Sequence, residues 1–204
     1  MLAGTFPWYA ARAGGIVAFA LLTLTVLAGL TLSGRVRLER WPRFAIEDVH
    51  RYLGLLTGTF IGIHLVALLV DSYLPFSPTQ LLVPGTSSYR PLATALGIVA
   101  VELLAAVAVT NRFRKRLPYT FWRRAHYATF AVWLLALVHG ITTGTDRHSV
   151  WALTLYASAC AAVAGGSVWR ALRRRVDEWS LRLWPGTAAI VAAEAVVVVA
   201  LVVR

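Results

Sequence analysis

Four of the five histidines fall in two apolar stretches, His50 and His64 in one and His126 and His139 in another, while His148 sits in the polar turn T-D-R-H-S. Neutral imidazole hydrogen-bonds, relays protons and ligates transition metals. A single histidine among apolar residues is ordinarily a hydrogen-bonded packing residue. Here the separations are matched, 14 residues in one stretch and 13 in the other. On helices these correspond to ~21 Å and ~19.5 Å, so two levels arise, each offering one imidazole per helix within a hydrocarbon core of ~30 Å.

That arrangement discriminates among metals. Zinc takes four close ligands, and pairs this far apart do not share one ion. A porphyrin iron takes one imidazole on each face, which saturates it for electron transfer, so two haem b groups stacked across the membrane fit the pattern. Helical phase divides the two pairs. Fourteen residues fall only ~40° short of four turns, so His50 and His64 share a face. Thirteen fall ~140° short. Either the helix bearing His126 and His139 is overwound or kinked, or one of these two is not a ligand and His148 or an outside group replaces it.

The elements that position these residues are membrane spans. The chain has 204 residues, 58% hydrophobic and 14% charged, with a net charge of +11 and a mean hydropathy of +0.67. Apolar stretches of about 20 residues occur at 14 to 33, 49 to 70, 93 to 110, 125 to 143, 150 to 168 and 186 to 203. The expected fold is an all-α integral membrane bundle of six transmembrane helices, with residues 1–204 as one haem-binding domain. The first stretch reads as a retained helix, because its apolar part is long and no A-x-A pattern follows.

All but four of the 20 Lys and Arg residues cluster around the first, third and fifth loops; Arg12, Arg90, Arg147 and Arg204 are the exceptions. Positive charge marks the cytoplasmic side, so both termini are expected to be extracytoplasmic. Trp41, Tyr119, Trp122, Trp169, Trp179 and Trp184 then form an inner aromatic belt, and Trp8, Tyr9, Tyr73, Tyr89 and Trp151 an outer one. The basic residues form no single face or tail, which argues against nucleic acid as a partner. One cysteine, Cys160, excludes an intramolecular disulfide and a Cys-rich metal site. The prolines between Asp71 and Leu92 argue against regular structure in that loop. Arg170 to Trp184 suits an interfacial segment.

The runs H-R-x-L-G-L-x8-H from His50 to His64, Y-R-P-L-x3-L-G from Tyr89 to Gly97 and R-R-A-H-Y-x11-H-G from Arg123 to Gly140 resemble the ferric reductase-like transmembrane domain. That family includes the membrane part of NADPH oxidases, ferric reductases and the haem-binding membrane subunit of the bacterial methionine sulfoxide reductase system. The resemblance covers roughly residues 15 to 170. It implies that His50 pairs with His126 and His64 with His139, and the oxidases share the 14- and 13-residue separations. Oxidases and eukaryotic ferric reductases continue into a flavin and nicotinamide domain; this chain resembles the small bacterial subunits, which lack one.

Several residues have two readings. Gly54, Gly58 and Gly62 either admit a cofactor to the second span or serve ordinary small-residue helix packing. Arg43, Arg51, Arg123 and Arg124 beside the inner histidines either pair with haem propionates or set topology. Arg90 and Arg147 hold the corresponding outer position, where topology competes less. Trp133 lies between the two histidine levels, as a bridge or as core packing. Glu102 and Glu194 fall near mid-membrane, where an acidic group invites a function. The resulting expectation is electron transfer to an extracytoplasmic acceptor from a separate cytoplasmic-side donor, a flavoprotein, flavin or quinol, in a bacterial plasma membrane. A non-redox transporter or assembly factor using histidines for metal binding or proton relay is the alternative.

Overall fold

Apolar side chains commit a segment to the bilayer, and with no water to satisfy its backbone there the segment becomes a helix. In the computed structural model the described residues are 2–34 and 41–174. Helix α1 spans Leu2–Ser33, α2 Arg43–Val70, α3 Pro78–Leu82, α4 Pro91–Arg112, α5 Tyr119–Thr143 and α6 Val150–Arg174, with one 3-10 turn at Arg114–Arg116. Among these residues the fold is all-helical. Five helices, α1, α2, α4, α5 and α6, are long and apolar enough to cross a membrane, so the chain is a multi-pass membrane protein. The sixth anticipated span, 186 to 203, lies outside the described residues, as do Glu194 and most of the segment from Arg170 to Trp184.

The helices outlast the apolar stretches that announced them. Hydropathy marks only what lies in hydrocarbon, whereas helical hydrogen bonding continues through the headgroup region. Thus α2 begins at Arg43 and carries two ion pairs along its first turns, Arg43 to Glu47 at 3.3 Å and Arg51 to Asp48 at 3.5 Å. Likewise α5 begins at Tyr119, directly after Pro118, and brings Trp122, Arg123 and Arg124 onto the helix.

Two compact units make up the chain: residues 1–20 with 56–148, and residues 21–55 with 149–204. Within the first, α4 packs along α5. Trp133 and Leu137 are fully buried, and Trp133 stacks on Phe19 at 6.0 Å between ring centroids. The start of α1 meets α2 at backbone distance, since a Cβ on Gly14 would lie 3.3 Å from the His64 amide nitrogen. Close approach through small residues is how helices associate where lipid removes the hydrophobic drive. Within the second unit Gly166 faces Leu30, and Gly34 faces the Trp169 ring; Cys160, Val163 and Arg170 are buried.

The loop after α2 is more ordered than its prolines imply. Asp71 is buried, and its carboxylate accepts from the Tyr73 and Leu74 amides. Ser77 caps α3 reciprocally with Gln80, and Pro78 occupies the first turn, where its missing N–H costs nothing. The signature S-P-x-Q is therefore a helix start within a proline-rich loop. Ser77→Ala is expected to cost about 1 kcal/mol locally, read as faster amide exchange at residues 78–82 with the rest unchanged.

Candidate functional site

In the first unit His64 of α2 and His139 of α5 are anchored alike, each through Nδ1 on a backbone carbonyl. His64 Nδ1 lies 2.6 Å from the Ala11 carbonyl oxygen of α1, and His139 Nδ1 lies 2.8 Å from that of Ala93 on α4. A carbonyl only accepts, so in both rings Nδ1–H donates and the lone pair is left on Nε2. Anchoring one ring nitrogen on a carbonyl while the other remains available is the arrangement that orients metal-ligating histidines.

In the second unit His50 Nδ1 likewise lies 2.9 Å from a backbone carbonyl oxygen, that of Thr25. His126, in the first unit, instead stacks on Trp122, one turn earlier in α5, at 5.4 Å between centroids and 22° between planes. Helix α5 runs from Tyr119 to Thr143 as one α-helix that carries both His126 and His139.

Around the C-terminal end of α5 in the first unit, side chains from several segments meet. Arg90 donates to the Thr142 carbonyl and its guanidinium lies over the Tyr89 ring, while the Tyr89 hydroxyl donates to the Thr143 carbonyl at 3.2 Å. A cation on these last carbonyls suits the negative end of α5. Arg90 adopts a left-handed backbone, φ 43°, which is uncommon for a residue other than glycine. Arg12 of α1 pairs with Asp146 in the turn after α5 and covers Trp8. Arg147 donates to His148 Nε2 at 3.0 Å, and His148 is exposed. The pairing of Arg12 with Asp146 was the missed feature; two opposite charges so distant in sequence carry no local signal.

In the second unit Arg51 sits beside Asp48, and in the first Arg123 covers Tyr119 and Arg124 is exposed. Glu102 is exposed on α4. Gly54, Gly58 and Gly62 are open: a Cβ on any of them would meet nothing within 4 Å. No three His, Cys, Asp or Glu side chains among the described residues gather as a metal-ion site.

The family described as ferric reductase like transmembrane component matches residues 14–137, more than half of the chain. The chain belongs to this family. The matched part contains His50, His64 and His126 and stops two residues before His139. No curated protein and no solved structure matches. Membership in the ferric reductase-like transmembrane family points generally to electron transfer across a membrane, and such domains generally bind haem. The residues of this chain fit that group: imidazoles anchored through Nδ1 are suitable donors for porphyrin iron, and the glycines of α2 leave uncrowded helix surface between two of the histidines.

Proposed function

We propose that this ferric reductase-like chain carries electrons across a bacterial plasma membrane through two bis-histidine b-type haems. Residues 1–204 act as one membrane domain, taking electrons from a cytoplasmic-side flavoprotein, flavin or quinol and passing them to an extracytoplasmic acceptor. His64 and His139 hold the outer haem, and His50 and His126 the inner one. The observation that carries this reading is the shared orientation of His64 and His139, each with Nδ1–H on a helix carbonyl and Nε2 left to ligate. Bis-imidazole haem iron exchanges single electrons with little change in coordination. The chain supplies ligands, spacing and a dry environment: ~21 Å along α2 separates the two levels. Arg51 and Arg124 at the inner level, and Arg90 and Arg147 at the outer, supply positive charge for propionates.

The test is the absorption spectrum of the detergent-purified protein, oxidised and dithionite-reduced, with haem counted per polypeptide. Low-spin b-type bands at two haems per chain are expected. A colourless protein that haem does not reconstitute overturns the proposal.

A further inference from the structure

In an α-helix the Cβ of each residue tilts toward the N-terminus, over the carbonyl one turn earlier. That carbonyl already accepts the amide of the residue four positions on, and a side chain there screens its second lone pair. Glycine lifts the screen. The three carbonyls that receive histidine Nδ1 are those of Ala11, Thr25 and Ala93, and four residues after them stand Gly15, Gly29 and Gly97. A Cβ on Gly15 would lie 3.1 Å from His64 Nδ1, one on Gly29 3.3 Å from His50 Cε1, and one on Gly97 2.7 Å from both His139 Cε1 and Nδ1. In each case the ring rests where the missing side chain would be. Glycine within a helix costs about 1 kcal/mol relative to alanine, so helix propensity does not favour these positions.

We infer that Gly15, Gly29 and Gly97 are positioning residues: each opens a notch on a helix neighbouring the histidine, through which the ring reaches a backbone carbonyl and is fixed with Nε2 directed away. The inference rests on the proposed role of these histidines as axial ligands. It adds that α1 and α4, which carry none of the four, determine tautomer and donor strength through their carbonyls. The notch also solves a membrane problem, since an imidazole N–H in hydrocarbon needs an acceptor and the backbone provides one once a side chain is removed.

The experiment compares Gly15→Ala, Gly29→Ala and Gly97→Ala with wild type in haem affinity, redox midpoint potential and low-spin electron paramagnetic resonance of the full-length protein. Gly165→Ala is the control, because a Cβ there meets nothing within 4 Å. Displacing a ring weakens its hydrogen bond to the carbonyl and so its basicity, which lowers affinity by about 10- to 100-fold and shifts the potential upward as the ferric state loses donor strength. Gly97→Ala is expected to change most, Gly15→Ala less and Gly29→Ala least, following the three clearances. Gly15→Ala and Gly97→Ala should shift the same haem signal, Gly29→Ala the other, and Gly165→Ala neither. Should Gly97→Ala not accumulate, Gly15→Ala, which needs a displacement of only a few tenths of an ångström, decides the matter. Haem-loaded wild type with unchanged potentials and spectra in Gly15→Ala overturns the notch alone. Haem-free wild type overturns the ligand reading and the notch together.

Discussion

Replacing His64 with alanine is expected to halve the haem content, removing one low-spin centre and leaving the other with its original potential. His139→Ala should do the same, and the double variant should be no worse than either single one. Two ligands of one iron act as a unit, so the second removal takes away nothing that the first left in place. The expectation follows from His64 and His139 belonging to one unit, with both rings anchored through Nδ1 on backbone carbonyls. Haem counting and redox titration of the three variants check it. Retention of two haems by His64→Ala would sink the assignment. Additive losses in the double variant would show that the two histidines serve different groups.

Truncating Trp133 carries the largest expected stability cost. Its side chain is fully buried and stacked on Phe19, with Val132 and Leu137 also buried beside it in α5. Removing so large a buried ring loses about 3–5 kcal/mol where the surroundings do not collapse. Trp133→Ala should therefore lower the unfolding temperature of the detergent-solubilised protein markedly, whereas Trp133→Phe, which keeps a ring against Phe19, should lose much less. Electron-transfer rates separate packing from bridging. If Trp133→Phe is nearly as stable as wild type and transfers electrons at the same rate, Trp133 serves the core; a large rate loss in a stable variant would assign it the bridging role.

What composition and periodicity could reveal here was governed by local, additive properties. The five described spans follow from transfer of apolar side chains into hydrocarbon, which depends on each stretch by itself. The His50/His64 and His126/His139 spacings were legible because rise per residue is fixed in a helix. The capping box at Ser77 was equally local and equally present in the sequence, though the neighbouring prolines drew attention away from it.

The partners of those residues were not legible. The contact of the Arg90 guanidinium with the Thr142 carbonyl at the end of α5 is set by how the loop returns across that end. Arg12 with Asp146, and each histidine with its carbonyl, join segments far apart in the chain. Glycines at 15, 29 and 97 are individually ordinary, and nothing in their spacing names the imidazole that each admits.

The sequence by itself thus determined that the chain lives in a membrane, where its spans lie and which histidines have metal-ligand spacing, because hydrophobic transfer and helical rise act residue by residue. Tertiary structure decided which carbonyl meets Nδ1 of His50, of His64 and of His139, and which glycines lie against those rings. Those are questions of sub-ångström clearance between helices, and clearance exists only once the helices have packed.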